Sequence, residues 1–262
     1  MKIVFVFFFL ILLSCSQQDN KSMVKKEIKY QLDTLQMHGY LVYDESIKEK
    51  RPAILVVHEW WGQNKYPRKR AEMIAKLGYV AFAVDMYGNG KVAEHPKDAG
   101  AFSSSIMRDF ETNKERFLKA MEVVKGFEFV DSSKIGAIGY CFGGGVVLNM
   151  ARLNVGLSGV ASFHGSLGKA ISYTGPTLTK ILVCNGADDR MVGGDAILRF
   201  KEEMDSLKAD YQFVNYPNSL HGFTNPEATI NGEKFGIGLA YNKEADLQSW
   251  EKMQTFFQAI FK

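Results

Sequence analysis

Gly139-Tyr140-Cys141-Phe142-Gly143-Gly144 stands between an apolar stretch and a segment of helical pattern. A cysteine between glycines at such a junction occupies a turn too tight for bulky neighbours. The turn lifts the thiol to the positive end of the following helix, which favours the nucleophilic thiolate. The pattern is that of a nucleophile elbow with sulfur in place of oxygen. A nucleophile of this kind is activated by a base, and the base is oriented by a carboxylate. Asn185-Gly186-Ala187-Asp188-Asp189-Arg190-Met191-Val192 follows an apolar run at 181–184, and Ser219-Leu220-His221-Gly222 follows a run at 212–216. Each separation leaves room for one strand–helix–strand step. Nucleophile, acid and histidine therefore fall in order on loops beyond strand carboxyl ends, where open α/β sheets bind ligands.

The elements that must position these residues alternate along the chain. Residues 28–43 read as an antiparallel opening pair, and 53–58 as a continuous apolar strand of the kind buried on both faces. A helix with Tyr66, Met73, Ile74 and Leu77 on one face precedes a strand at 79–84. Phe102, Ile106, Phe110, Phe117, Met121 and Val124 recur at helical spacing and predict one long amphipathic helix ending at Gly126. A strand at 134–139, a helix at 142–152 and strands at 160–163 and 181–184 come next. A helix with Ile197, Phe200, Met204 and Leu207 leads to the strand at 212–216, and a last helix carries Leu247, Trp250, Phe257 and Ile260. The repetition predicts a mainly parallel sheet with helices on both faces, in a single domain over 28–262.

Composition narrows the classes of function. With 46% hydrophobic residues the chain has ample apolar surface for a core, and a formal charge of only +3 gives no footprint for nucleic acid. The histidines lack metal-ligand spacing, no phosphate loop is present, and neither a metal nor a cofactor is expected. His58 and His164 read as packing or substrate-contact residues. Glu59, at a strand end beside Trp60 and Trp61, reads either as a desolvated, basic carboxylate or as a helix-entry or surface acid.

Taken together, HEWWG (58–62), DMYG (85–88), GYCFGG (139–144), NGADDRMV (185–192) and LHGF (220–223) resemble the dienelactone hydrolase family of the α/β-hydrolase fold, over roughly residues 28 to 261. The resemblance implies Cys141 as nucleophile, His221 as base and Asp189, three before Val192, as the orienting acid. It implies that Glu59 helps ionise the thiol, and that the backbone amides of Trp60 and Phe142 form an oxyanion hole. Trp61, Asn89, His164 and Asn225 are the candidate substrate contacts. Asn89 and Asn225 stand where family members hold a substrate carboxylate with arginines, and asparagine supplies neither the charge nor the fork. Lys91 and Arg190 are nearby cations that could compensate. The implied activity is hydrolysis of a small-molecule carboxylic ester or lactone through a cysteine acyl-enzyme. The other readings are a peptide or thioester acyl hydrolase on the same triad, and an inactive ligand-binding surface lipoprotein.

Residues 1–14 read as an address. Lys2 is followed by apolar residues at 3–13, a helix of about 16 Å, roughly half a bilayer core. A basic start, a short apolar core and a small residue before a boundary describe an export signal. Leu12-Leu13-Ser14-Cys15 resembles a bacterial lipobox, with Cys15 the lipidated residue. Residues 15–27 then form a polar tether, and the protein is expected at the cell envelope, touching the membrane only through this anchor. Cys15→Ala should move the protein from the membrane fraction to the soluble one. A mature protein whose mass still includes Met1 would exclude the cleavage.

Overall fold

Strands whose apolar residues run on without polar alternation must be covered on both faces, and the computed structural model, which describes residues 22–173 and 175–262, shows both covers. The elements run in the order β1 (Met23–Leu32), β2 (Leu35–Asp44), β3 (Arg51–Val57), α1 (Lys65–Ala75), β4 (Val80–Val84), α2 (Pro96–Arg108), α3 (Phe110–Lys125), β5 (Val130–Tyr140) and α4 (Phe142–Arg152). They continue with β6 (Gly159–Phe163), β7 (Lys180–Gly186), α5 (Gly194–Ser206), β8 (Tyr211–Tyr216), α6 (Ala228–Phe235) and α7 (Lys243–Ile260). The eight strands form one sheet in the order β1-β2-β4-β3-β5-β6-β7-β8. The β1–β2 hairpin and the β2–β4 contact are antiparallel, and every other pairing is parallel.

Alternation along the strands divides the core. Ala53, Leu55 and Val57 of β3 pack with Phe117 of α3, Val146 of α4 and Phe200 of α5. Ile54 and Val56 turn the other way, onto Ile74 of α1 and Met253 and Phe257 of α7. The parallel register matches Val57 with Gly139, Tyr140 with Phe163, Phe163 with Cys184, and Gly186 with Tyr216. The carboxyl ends of β3, β5, β6, β7 and β8 therefore open onto one edge of the sheet, and the loops leaving them meet there.

Four features differ from the sequence pattern. The long helix expected through 102–124 is two helices, broken at Asp109, whose ψ of 58° leaves the helical range. Only one residue departs, and Ile106, Phe110 and Phe117 all stay buried, so the apolar spacing carries no trace of the break. Leu77 lies beyond the end of α1, and Leu247 faces outward from α7 at 60% exposure. Helix α6 lacks an apolar stripe strong enough to announce it. β1 begins at Met23 and pairs from Met23↔Asp44 onward, so residues 23–27, placed in the tether by their polarity, are edge strand. Ladder hydrogen bonds hold a polar segment in a sheet edge without burying its side chains. Residues 1–14 and Cys15 lie outside the described residues.

Candidate active site

β5 ends at Tyr140 and α4 begins at Phe142, leaving Cys141 alone to make the turn, with φ 52° and ψ −114°. A side chain in this left-handed region stores roughly 1–3 kcal/mol of strain, so the surroundings must hold it. They do so by close approach: a Cβ on Gly143 would come within 2.4 Å of the Val57 carbonyl oxygen and 2.6 Å of that of His58. The Gly143 N–H donates to the His58 carbonyl at 3.1 Å, and the Cys141 N–H donates to that of Phe163 at 3.0 Å. The half-buried thiol thus sits at the start of a helix whose residues are all buried.

The acid and the histidine meet from the next two strand ends. Asp189, after β7, and His221, after β8, are both buried, and His221 Nδ1 donates to Asp189 Oδ2 at 2.8 Å. The other carboxylate oxygen of Asp189 accepts from the Met191 N–H at 2.8 Å, whereas Asp188 points to solvent. With its proton on Nδ1, His221 has Nε2 free, and that nitrogen has no hydrogen-bond partner among the described residues. Burial disfavours the imidazolium, but a thiolate at Cys141 and the bond to Asp189 outweigh it and raise the His221 pKa to about 10.

Cys141 and His221 line the same cavity, of about 270 Å³. Trp60, Met107, Phe142, Met191 and Val192 make its walls apolar, and Ser103, Ser104 and Ser166 add hydroxyls. Among the described residues, no lysine, arginine or carboxylate lines it. The amides of Trp60 and Phe142 face no competition, since neither donates to a backbone carbonyl among the described residues. The Trp60 peptide is held by the Tyr87 hydroxyl, which donates to its carbonyl at 2.8 Å.

Glu59, 5% exposed, does not line the cavity and is not hydrogen-bonded to the thiol; its Oε2 accepts from Asn225 Nδ2 at 2.7 Å. Burial pushes the carboxyl up to about 7, against the opposing pull of the Asn225 bond and of the His221 and Arg70 charges.

The four expected substrate contacts lie elsewhere. Asn225 is engaged with Glu59. Trp61 packs on the Phe235 ring at 6.0 Å and is buried with Ala93 and Ala99. Asn89 is an exposed turn residue at φ 55°, its N–H donating to Gln36 at 2.7 Å. His164 is fully buried, with Nε2 2.8 Å from the Thr224 hydroxyl. Their types suited a binding role, but strand-end position alone does not tell a wall from a foundation. Lys91 and Arg190 do not compensate, since neither lines the cavity and the Lys91 ammonium lies over the Phe102 ring at 6.0 Å.

His58 and Asp85 are structural. The Met86 N–H donates to His58 Nε2 at 3.2 Å, so the proton is on Nδ1, 2.6 Å from the Glu59 carbonyl, and burial lowers the pKa to about 4. Asp85 of the DMYG segment accepts from the N–H groups of His38, Tyr87, Gly88 and Gly90 at 2.8–3.1 Å. The walls contributed by α2 escaped the sequence reading. Their one signal was the serine run at 103–105 inside an amphipathic helix. Among the described residues no group of three His, Cys, Asp or Glu side chains is arranged to hold a metal ion.

The strand order, the elbow and the order of the strand-end residues define an α/β-hydrolase fold. The model of the dienelactone hydrolase family matches residues 37–261, and the chain belongs to that family, as an enzyme acting on ester or lactone bonds. A protein of Aquifex aeolicus (strain VF5) provisionally named a carboxymethylenebutenolidase is 25% identical over 249 residues, covering 90% of this chain and 98% of its own. A similarly named protein of Saccharolobus solfataricus is 24% identical over 278 residues, 91% of this chain and 100% of its own. Among solved structures, a dienelactone hydrolase-like promiscuous phosphotriesterase from metagenomic libraries superposes with a TM-score of 0.87 at 31% identity, covering 92% of this chain and 100% of that one.

The raised Glu59 pKa has a consequence for stability. The folded protein holds this proton more tightly than the unfolded chain, so the contribution is present below the ordinary value of 4.5 and is lost as pH rises through about 7. Glu59→Gln carries no such loss. Its stability relative to the unaltered protein should rise by up to about 3 kcal/mol from pH 5 to about pH 8, read from denaturant midpoints. A difference that stays constant over that range would mean an ordinary surface-like carboxylate.

Proposed function

We propose that the protein hydrolyses uncharged carboxylic esters or lactones through an acyl-enzyme on Cys141. The observation that carries this is the Asp189–His221 hydrogen bond of 2.8 Å, with the free ring nitrogen and the elbow thiol opening into one cavity. The Cys141 thiolate attacks the carbonyl carbon, and the charge moves to the carbonyl oxygen, facing the amides of Trp60 and Phe142. Donors so placed commonly contribute about 3–4 kcal/mol. The C–O bond breaks, the departing alkoxide takes a proton from the His221 imidazolium, and a thioester remains. His221, now neutral, removes a proton from water as it attacks the thioester. The acid leaves, and the thiolate–imidazolium pair is restored.

The cation-free lining supports a neutral substrate. Asn225, standing where an arginine would bind a carboxylate, is instead turned to Glu59. Glu59 is a second proton-binding group for the thiol in this mechanism. Its raised pKa supports that role, and its bond to Asn225 is the resting arrangement from which it would move. Export and a lipid on Cys15 would hold the enzyme at the bacterial envelope.

A slow neutral ester should leave its acyl mass on Cys141, and Cys141→Ala should abolish both acylation and turnover. The methyl ester of an acidic lactone should have its ring opened about tenfold or more faster than the free-acid lactone, because a charged substrate finds no charge-assisted contact. Acyl mass on another residue, or preference for the acid, would overturn the proposal. In the same single-turnover assay, Glu59→Gln should slow acylation by about 10²-fold with the fold retained. An unchanged rate would leave Glu59 a structural carboxyl.

A further inference from the structure

A second imidazole lies against the base, and the reaction as described makes no use of it. The ring of His164 is fully buried, its centroid 5.2 Å from that of His221 at an interplanar angle of 66°. Its Nε2 is 2.8 Å from Thr224 Oγ1, which is 2.6 Å from the Tyr66 hydroxyl, and Arg70 Nε donates to that hydroxyl at 3.2 Å. Arg70 also donates to Asp246 and to the Thr224 carbonyl, both at 2.5 Å.

Proton direction along this series follows from its first member. A guanidinium has donors only, so the Tyr66 oxygen accepts from Arg70. A phenol that accepts from a cation is polarised toward donating, and its sole acceptor among the described residues is Thr224 Oγ1. With its oxygen receiving the Tyr66 proton, Thr224 has its own proton left for His164 Nε2. Either direction leaves one buried proton unpaired, that of Tyr66 or that on His164 Nδ1, so the contact of Tyr66 with the Arg70 cation sets the choice. The geometry points to a one-way hydrogen-bond chain, Arg70 to Tyr66 to Thr224 to His164, that holds the ring beside His221 neutral with its proton on Nδ1. Tyr66, Thr224 and His164 are then positioning residues for the base, an inference that rests on the reading of His221 as that base.

The benefit is electrostatic. The reaction places a positive charge on His221, and a second cation one ring away would oppose it. Protonating His164 at Nε2 removes the acceptor of the Thr224 proton, which then goes unpaired or turns back on Tyr66, and Arg70 cannot accept. The other groups facing His164 do not invite a proton either: Tyr140 at 6.1 Å and Phe223 at 5.3 Å are uncharged rings. The nearby carboxylates of Asp246, Asp189 and Glu59 are bonded to Arg70, His221 and Asn225. Burial, then the charges of His221 and Arg70, keep the His164 pKa well below its ordinary value.

The test is ring-nitrogen NMR on the full chain labelled with ¹⁵N-histidine, the His164 signals being assigned by their loss in His164→Asn. His164 should show a protonated Nδ1 and a bare Nε2, unchanged through the range in which His221 titrates. Tyr66→Phe, which does not touch His164, should free Thr224 to accept. His164 should then shift toward the Nε2–H form and take up a proton as pH falls, and the acid limb of kcat/KM should move up by about one pH unit. Thr224→Ser keeps a hydroxyl and should retain the original signals. A proton on Nε2 in the unaltered protein would overturn the inference, as would a folded Tyr66→Phe variant with unchanged signals and pH profile. The unaltered protein's signals decide the matter even if Tyr66→Phe does not fold. Because they require no substrate, a failure here is separate from failure of the proposed hydrolysis.

Discussion

Gly143 comes so near the Val57 and His58 carbonyl oxygens that a methyl group there would lie 2.4 and 2.6 Å from them, and the geometry of the site follows from that approach. It draws the first turn of α4 against the end of β3. The positive φ of Cys141 is sustained by the bonds from its own N–H to Phe163 and from Gly143 to His58. Strain at one residue is stable here because strands on both sides of β5 over-determine it.

Around the thiol the protein arranges proton affinities by setting burial against a few chosen charges. Glu59 and His221 are both raised, to about 7 and about 10, for opposite balances of the same effects. For Glu59, desolvation wins over a single neutral amide and two more distant cations. For His221, desolvation loses to the anions it touches. For His58 burial outweighs the pull of the Asp85 carboxylate, no anion offsets it for His164, and both are left neutral. Two buried imidazoles are thus held neutral while His221 and Glu59 hold their protons more tightly, and pushing affinities apart in this way is a usual means by which a site separates acid and base roles.

Much of this was legible along the chain. Strand–helix alternation is a local signal, and it led to the mainly parallel sheet with its helices. The elbow is equally local, because a turn of one residue between strand and helix demands glycine on either side. The two-helix break at Asp109 was not legible, since the apolar face resumes in phase after it. Nor was the true start of β1, because residues 23–27 earn their place through backbone bonds to β2, which leave no hydrophobic pattern.

The sequence by itself determined which residue types stand at strand ends and in what order: Cys141, then Asp188-Asp189, then His221. Folding decided what each of them meets. Asp189 rather than Asp188 is turned inward to the histidine, and Asn225 is spent on Glu59 rather than on the cavity. Ser103, Ser104 and Met107 become walls because α2 lies across the elbow. Tyr66 and Thr224, 158 residues apart, join in one chain of hydrogen bonds. Local patterns record the period of an element and the needs of its turns. Contacts between distant side chains depend on how the loops cross the sheet edge, and that has no period to read.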